Sequence, residues 1–580
     1  MKQLVRLLRT HLAPYKRTLG LIVVLQAVQV GAALTLPSIN ARVIDHGVLP
    51  GNTHYIYKWG AVMLLFAFIQ GTFSGAAVYF GSRVAMAFGR DVRNNLFHRV
   101  TDFSTREVGA FGAPSLITRI TNDVQQVQLL TVMACTMAIA APITIVVGVL
   151  IAIRQDLGLS MVLAFAIPLC AIVLGILVSF MVPAFRLMQE RIDQVNRVLR
   201  EQITGIRVVR AFVREPQEKR RFDKANTELT DVSLRAGRLM ASMFPTVNFL
   251  INASSVAVVW LGASLISKGQ VEVGSLIAYL SYLVQILMSV VLATFTVSMI
   301  PGAAVSADRI QEVLDTETSV EPPSEPVHEV LQPGALEFRD VGFHYPGAEH
   351  AVLSDISFKT APGQTTAIVG STGAGKSTLV NLILRLFDAS EGNVLVGGVD
   401  VRALDPNVLW STIGYVPQRP YLFSGTVASN LQFGKPDATE EEMWHALEIA
   451  QAKDFVSAMP GGLHARIEQG GTNVSGGQRQ RLSIARALIR QPDIYVFDDS
   501  FSALDLATDA RLRAALVPYT RQAAVVIVAQ RVSTISTADN IIVLEDGEIV
   551  GAGTHEALLH GCPTYAEIVA SQIGEKESAA

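Results

Sequence analysis

Charged residues and cysteine are both scarce in this chain of 580 residues. Asp, Glu, Lys and Arg make up 17% of the sequence, whereas a typical soluble protein has about 25%. The net charge of −3 lacks the basic excess of a nucleic-acid-binding protein, so no nucleic-acid partner is expected. The three cysteines, which are Cys135, Cys170 and Cys562, indicate neither a disulfide framework nor a metal cluster.

Long apolar runs are abundant instead, and hydrophobic residues make up 50% of the chain. A bilayer-spanning helix needs about 20 apolar residues, and six longer uncharged runs cover 18–41, 59–82, 124–153, 157–185, 239–267 and 273–307. The alternative, buried core helices of a soluble enzyme, would typically be shorter and carry a polar face. The sequence therefore predicts a six-helix transmembrane domain over residues 1–315, in contact with membrane lipid.

Basic residues set the expected orientation of these helices. Three arginines (Arg90, Arg93 and Arg99) follow the second run, and four arginines between 186 and 200 follow the fourth. The connections 42–58, 154–156 and 268–272 hold few basic residues. Because basic loops stay in the cytoplasm, both termini are expected there. Without an evident transit peptide, a bacterial inner membrane is the expected location.

The flanking segments also have amphipathic patterns. Residues 1–9 interleave apolar and basic positions, which favours a short interfacial helix, with a cleaved signal peptide as the competing interpretation. Two charged segments, 83–123 and 186–238, carry periodic apolar residues. They predict helices that continue beyond the bilayer and could touch a cytoplasmic domain.

The second half of the chain has a different pattern. A breaker-rich stretch over 316–334 suits a linker. From 335 to 580, short β-branched runs alternate with helical patterns, which is typical of an α/β nucleotide-binding domain. An Asp-Gly pair within 541–550 predicts a β-hairpin near the end.

A phosphate-binding loop stands between a predicted strand and a predicted helix. The sequence matches G-x-x-x-x-G-K-[ST] and continues to Thr378; its residues are Gly370, Ser371, Thr372, Gly373, Ala374, Gly375, Lys376, Ser377 and Thr378. Backbone N–H groups of such a loop converge on phosphate oxygens, and the lysine reaches the β- and γ-phosphates. The motif therefore predicts ATP as a ligand.

Two further residues suit the same ligand. Asp498 ends the apolar run 494–497, where its carboxylate would hold Mg²⁺ or a water of the ion. Tyr345 precedes Pro346 and Gly347, and it offers a flat face to an adenine ring. Taken singly, either residue is more often ordinary strand or turn material.

The order of these motifs resembles the ATP-binding cassette domain. Besides the phosphate loop, the resemblance includes Gln418 in Val-Pro-Gln, the run Ser475-Gly-Gly-Gln-Arg-Gln-Arg481, Asp498, and Ser502-Ala-Leu-Asp505. With six helices on the same chain, it resembles a half-transporter of the ABC exporter type. Residues 103–111 and 211–217 resemble the coupling regions of that family.

The resemblance implies a composite ATP site. In that family two cassettes pair head to tail, so Ser475, Gly476, Gly477 and Gln478 are expected to bind the nucleotide held mostly by the partner. A serine hydroxyl and glycine N–H groups that open a helix suit an anion. The expected Mg²⁺ ligands are Ser377, Gln418 and Asp498.

Three residues depart from the family pattern. Asp499 stands where the family has the general-base glutamate, and Gln530 stands where it has a histidine that contacts the γ-phosphate. Gln469 occupies the place of a usual glutamate before the signature run. Asp499 is one methylene shorter, and an amide cannot carry the positive charge of a histidine. Drift within a working ATPase is one interpretation of these catalytic positions.

The other interpretation is a heterodimer with one degenerate ATP site. A partner half-transporter that bears Glu and His would then hydrolyse the ATP clamped against Ser475–Gln478. The apolar runs contain amides and hydroxyls but no charge, which favours export of an amphipathic, drug-like or lipid-like substrate. Import of a siderophore or lipid is an alternative, and so is a nucleotide-gated regulator without transport.

Overall fold

The computed structural model describes residues 1–578, with side chains described to residue 572. The chain divides into two compact units. The first unit comprises Met1–Asp102 and Phe111–Thr316, and the second comprises Phe103–Ala110 and the chain from Glu317 onward. Residues 103–110 therefore cluster with the cassette half, although they lie between membrane helices in sequence.

Within the described residues, the first unit holds six helices long and apolar enough to cross a membrane, which confirms the predicted number. They cover Lys2–Val48, Thr53–Thr101, Ala113–Gln155, Leu157–Thr204, Glu215–Ser267 and Val273–Asp315. Each is 43 to 53 residues long. At about 1.5 Å per residue, this exceeds the roughly 30 Å of a bilayer core, so the helices continue well beyond it.

Short irregular turns divide some of these spans into separate α-helices. Wide π-helical turns occur at Ile44–Val48, Arg119–Asp123 and Ala134–Ala138. The α-helices are α1 Lys2–Leu12, α2 Lys16–Val43, α3 Thr53–Thr101, α4 Thr105–Phe111, α5 Ala113–Thr118, α6 Val124–Met133, α7 Ala140–Gln155, α8 Leu157–Thr204, α9 Ile206–Ala211, α10 Glu215–Ser267 and α11 Val273–Asp315.

Buried polar groups in the first unit find partners on neighbouring helices. Tyr279 and Tyr282 of α11 are fully buried. The Tyr279 hydroxyl donates to the carbonyl of Leu159 at 2.7 Å, and that of Tyr282 donates to Leu34 at 3.0 Å. Unpaired polar groups are costly inside a membrane, so these bonds fix how α11 packs against α2 and α8.

Close backbone approach also joins α11 to the end of α2. The N–H of Gly274 donates to the Asp45 carboxylate at 2.7 Å. A Cβ built on Gly274 would collide with the backbone oxygen of Ala41 and with that carboxylate. Only glycine therefore fits here, as small residues do at membrane helix contacts.

The second unit is an α/β cassette. Its strands are β1 Leu336–Phe343, β2 Leu353–Thr360, β3 Thr365–Gly370, β4 Glu391–Val396, β5 Val399–Asp400, β6 Ile413–Val416, β7 Gly425–Thr426, β8 Arg466–Ile467, β9 Ile494–Asp498, β10 Ala524–Val528, β11 Asn540–Glu545 and β12 Glu548–Gly553. Its helices are α12 Lys376–Ile383, α13 Pro406–Thr412, α14 Val427–Gln432, α15 Glu440–Ile449, α16 Lys453–Ala458, α17 Gly476–Leu488, α18 Leu506–Tyr519, α19 Val532–Ile535, α20 His555–Gly561 and α21 Pro563–Ser578.

A six-stranded sheet in the order β12-β11-β3-β10-β9-β6 forms the centre of the cassette. Its strands are parallel except for β12, which pairs antiparallel with β11 as the predicted hairpin. Successive residues of β3 alternate between two cores, since Ala367 and Val369 face one core and Ile368 the other. Apolar layers on both faces explain the β-branched runs of the sequence.

The contact at Gly274 generates the first prediction. Gly274→Ala should destabilise the first unit by about 1 to 3 kcal/mol, because the added methyl overpacks a backbone contact. Gly302→Ala is the matched control on the same helix, since a Cβ there meets nothing within 4 Å. Thermal unfolding in detergent checks both variants, and equal unfolding temperatures would contradict the assignment.

Candidate functional site

The phosphate loop occupies the expected place between β3 and α12. Gly373 and Gly375 have φ angles of +92° and +96°, which favour glycine strongly. A Cβ on Gly370 would collide with the carbonyl oxygen of Leu544 on β11. The glycines of the motif therefore let the loop turn tightly against the sheet edge, with its N–H groups at the start of α12.

A cavity of about 260 Å³ lies at this loop. Residues from five separate parts of the cassette line it: Val352, Thr372, Gly373, Gly375, Lys376, Ser377, Thr378, Gln418, Asp498, Asp499, Val528 and Gln530. The phosphate loop, the expected metal ligands, Asp499 and Gln530 thus meet at one site. The carboxyl ends of parallel strands bring them together, as in other open α/β sheets.

Lys376 is held over the loop by its own backbone. Its ammonium group donates to the carbonyls of Gly370 at 2.8 Å and Ser371 at 2.6 Å. Burial lowers the pKa of Lys376, while Asp499 and Asp498 oppose this shift. The ammonium can therefore exchange these carbonyls for phosphate oxygens.

Asp498 and Ser377 suit a divalent cation. Burial and the neighbouring Asp499 raise the pKa of the Asp498 carboxyl, whereas the hydrogen bond from Ser377 lowers it. A buried carboxylate of this kind is costly without a cation. Mg²⁺ prefers hard oxygen ligands, and the Ser377 hydroxyl, the Asp498 carboxylate and the Gln418 amide oxygen could supply them.

Asp499 is fixed on several sides. Its N–H donates to the Val528 carbonyl at 2.9 Å, and its own carbonyl accepts from the Ser502 hydroxyl at 2.9 Å. Its carboxylate accepts a hydrogen bond from Gln418 Nε2 at 3.3 Å. The backbone has a φ of +45°, a conformation that Asp adopts more readily than most residues. The carboxylate thus has little freedom to reach farther into the cavity.

Gln572 in the last helix holds the Gln530 loop, and sequence reasoning missed it. Its side-chain amide donates to the Gln530 carbonyl at 2.7 Å and accepts from the Val532 N–H at 2.8 Å. The two bonds bracket the loop between β10 and α19. No motif marks a glutamine 42 residues downstream, so only the folded chain could show this contact.

Tyr345 and the Ser475–Gln478 run lie outside the lining of this cavity. The Tyr345 hydroxyl is 3.1 Å from that of Thr378, which does line it. Ser475 caps α17 reciprocally with Gln478, each accepting a bond from the other's backbone N–H. The run is thus a preorganised helix start that does not line the cavity at the chain's own phosphate loop.

A second cavity, of about 510 Å³, lies in the first unit between α8, α10 and α11. Its lining is mostly apolar and includes several flexible methionines: Val178, Met181, Val182, Phe185, Arg186, Gln189, Met240, Met243, Thr294, Phe295, Ser298, Pro301, Gly302 and Val305. Arg186 and Gln189 supply polar groups at its wall. A cavity of this size and chemistry suits a small amphipathic molecule.

Comparison with known proteins gives two matches to family models. Residues 19–290 match the ABC transporter transmembrane region, and residues 353–502 match the ABC transporter domain. An uncharacterized ABC transporter ATP-binding protein of Mycobacterium tuberculosis is 50% identical over 573 residues, which cover 98% of each chain. The chain belongs to the ABC transporter family.

Other proteins are similar to this chain over most of its length. An uncharacterized ABC transporter ATP-binding protein of Bacillus subtilis is 35% identical over 98% of this chain and 99% of that protein. A multidrug efflux ATP-binding/permease protein of Mycobacterium tuberculosis is 31% identical over 93% of this chain but only 45% of its own length. A bacterial Atm1-family ABC exporter with ATP bound has the same fold, with a TM-score of 0.79, 23% identity, and coverage of 97% of this chain and 99% of that chain.

These matches identify an ABC exporter-type half-transporter, which is an ATPase coupled to transport and a multi-pass membrane protein. The ATP-binding domain of this family binds ATP, and its phosphate loop lines the cavity at Lys376.

The two coupling-like segments of the ABC transporter differ in their surroundings. Residues 103–110 cluster with the cassette, where the Ser104 and Ser319 hydroxyls are 2.9 Å apart. The α9 tip of the first unit is solvent-exposed and apolar, since Val208, Phe212 and Val213 are 61%, 72% and 75% exposed.

The Gln572 clamp generates the second prediction. Gln572→Ala should weaken binding of a fluorescent ATP analogue at the Lys376 site about fivefold, which is roughly 1 kcal/mol, because the Gln530 loop loses both side-chain bonds. Ser571→Ala is the control, since that hydroxyl bonds only within its helix, to Ile568. Equal affinities of the two variants would show that the clamp does not position the loop.

Proposed function

We propose that this chain is the degenerate-site half of a heterodimeric ATP-driven exporter of amphipathic compounds. The observation that carries the proposal is the composition of the ATP cavity. Lys376, Ser377 and Asp498 supply what phosphate and Mg²⁺ need, whereas Asp499 and Gln530 stand at the catalytic positions. The site binds Mg·ATP and hydrolyses it slowly.

The fixed position of Asp499 supports slow hydrolysis. Its side chain is one methylene shorter than glutamate, and hydrogen bonds from Gln418 and Ser502 and to the Val528 carbonyl limit compensating movement. Misplacing a catalytic group by about 1 Å can cost roughly 100-fold in rate. Gln530 can donate a hydrogen bond to the γ-phosphate but cannot add a positive charge.

The intact signature run supports a partner. Ser475 and Gln478 form a reciprocal cap, so the N–H groups at the start of α17 are already oriented for an anion. Paired head to tail, this run completes the partner's ATP site. The partner carries Glu and His there, so the second site turns over while the ATP at Lys376 keeps the cassettes associated.

Exposed apolar surfaces favour the same pairing. Besides the α9 tip, the cassette has a groove of about 410 Å³ with aromatic lining that includes Trp410, Tyr415, Phe423 and Phe433. In a dimer, the groove of each chain receives the apolar tip of the other. This contact transmits closure of the cassettes to the membrane helices, which is alternating access.

The membrane cavity supports the substrate class. Phe295, Met240 and Met243 provide flexible apolar contacts, and Arg186 provides one cationic group. This combination favours an amphipathic molecule with an acceptor or a single anionic group. A relative named as a multidrug efflux protein, about twice as long as this chain, supports both the substrate class and the pairing of two halves.

Transport is tested with the purified pair in lipid vesicles. ATP added on the cassette side should drive a lipophilic dye to the opposite side. Movement toward the cassette side would instead support import. ATP binding without net movement would support a regulator and contradict the proposed function.

The catalytic assignment generates the third prediction. Asp499→Glu combined with Gln530→His should raise hydrolysis at this site at least about tenfold, because it restores a general base of the right reach. The assay uses a partner whose catalytic glutamate is replaced by glutamine, so that only this site turns over. Asp546→Glu is the control, since Asp546 has a similar φ of +46° in an exposed turn. No increase in rate would show that these two residues do not limit hydrolysis.

The membrane cavity generates the fourth prediction. Phe295→Ala should weaken the dye's stimulation of ATP hydrolysis roughly tenfold in apparent affinity, the equivalent of about 1.4 kcal/mol of lost apolar contact. Phe249→Ala is the control, because Phe249 is 71% exposed and does not line the cavity. If both changes weaken the apparent affinity equally, the dye does not bind in this cavity.

A further inference from the structure

The chain passes between its two units at three places. It leaves the first unit after Asp102, returns at Phe111, and leaves again after Thr316. Helix α4 lies between the first two crossings and is fixed within the cassette unit. Ser104 donates to the carboxylate of Glu107 at 2.6 Å and contacts Ser319. Helix α4 therefore groups with the second unit and contacts the segment 316–334 through Ser319.

A π-helical turn follows α5, close to the return at Phe111. It covers Arg119–Asp123, and both of these end residues are buried. A π-helical turn has about one more residue per turn than an α-helix, and such turns are frequent at functional sites. Here it places a cation and an anion on one side of the helix, against the last turns of α11.

Arg119 joins the return point to the end of α11. Its Nη1 donates to the Arg309 carbonyl at 2.8 Å and to Glu312 Oε2 at 2.7 Å. Its guanidinium lies over the Phe111 ring, 4.8 Å from the ring centre. One side chain thus contacts Phe111, where the chain re-enters the first unit, and Glu312, four residues before it leaves.

Asp123 adds a second tie to the same helix. Its Oδ1 accepts from the buried Ser306 hydroxyl at 2.8 Å, and its Oδ2 lies 3.5 Å from Arg309 Nη1. Two ion pairs, Arg119–Glu312 and Arg309–Asp123, are therefore joined by the bond from Arg119 to the Arg309 carbonyl, and we call these four residues the Arg119 cluster. Ion pairs whose members are all exposed contribute little to folding stability.

The Arg119 cluster is not fully satisfied. Asp123 Oδ2 and Arg119 Nε are buried, and neither has a hydrogen-bond partner. Buried polar atoms without partners are costly compared with an apolar contact of the same shape. A contribution to folding stability therefore does not explain the Arg119 cluster. A contact that exchanges its hydrogen bonds as the helices move does explain it.

We propose that Arg119 and Asp123 are positioning residues that couple the cassette to the membrane helices. The chain passes between the two units at Phe111 and after the end of α11. The Arg119 cluster makes these two places move together. Displacement of α4 by the cassette then shifts α11, which also lines the membrane cavity through Phe295 and Ser298. This inference rests on the proposed transport function, but its first test does not require transport.

The first test follows the cavity itself. Ser298→Cys places a thiol in the cavity wall, and the three native cysteines are buried. In the full-length pair in vesicles, Mg·ATP should protect this thiol from a membrane-impermeant maleimide added on the cassette side. Adding Arg119→Gln should reduce that protection at least about fivefold, while the affinity for the ATP analogue stays within about twofold.

Two further variants separate coupling from folding. Glu312→Gln should act in the same direction, and its side chain is 58% exposed, so the change leaves folding intact. Arg191→Gln is the control, because it removes a comparable ion pair, to Glu228 at 2.8 Å between α8 and α10. The Ser298→Cys protein without a further change is the reference protein. Adding Arg191→Gln to it should leave the protection of the thiol by ATP unchanged.

The second test measures dye molecules moved per ATP hydrolysed. Arg119→Gln should lower this ratio about fivefold with hydrolysis nearly unchanged, because energy is spent without moving the helices. Full protection of the introduced thiol in the Arg119→Gln and Glu312→Gln variants would overturn the proposal. An equal loss of protection in Arg191→Gln would also overturn it. So would a reference protein in which ATP does not protect the thiol. A reference pair that shows protection but no dye movement would contradict only the transport function.

Discussion

The packing of the phosphate loop against β11 is the constraint on which the site depends. The Leu544 carbonyl leaves no room for a side chain at Gly370. The phosphate loop therefore packs closely against β11 and presents its N–H groups to the cavity. Lys376 then folds back onto Gly370 and Ser371. The neighbouring strand ends bring Asp498 and Gln530 to the same cavity. The sheet topology therefore assembles the nucleotide cavity, and the side chains at the strand ends determine its chemistry.

In the proposed function, that division lets one fold keep ATP and lose turnover. Binding then depends on backbone amides, a lysine and Mg²⁺ ligands, and the residues that line the cavity could supply all three. In the proposed function, hydrolysis depends on the reach of one carboxylate. Asp499 accepts a hydrogen bond from Gln418, and its backbone has a φ of +45°. A stable nucleotide at one site and turnover at the other would give the dimer a permanent association and a separate power stroke.

The sequence predicts those features that depend on composition or on short motifs. Six apolar runs were enough for the six spanning helices, and the Asp546-Gly547 turn was enough for the terminal hairpin. The contacts between distant segments could not be predicted. Gln572 reaches Gln530 across 42 residues, and Arg119 reaches Glu312 across 193. The π-helical turn that orients Arg119 has no sequence signature, because its residues would suit an α-helix equally well.

Steady-state ATP hydrolysis by the chain purified alone, compared with the chain paired with its partner, tests the central claim most directly. The account predicts that the pair is at least about 100-fold faster, since general-base catalysis contributes roughly 10² to 10⁴ in rate. Replacing the partner's catalytic glutamate should remove that excess. Brisk turnover by the chain alone would make Asp499 a competent base and would contradict the asymmetric assignment.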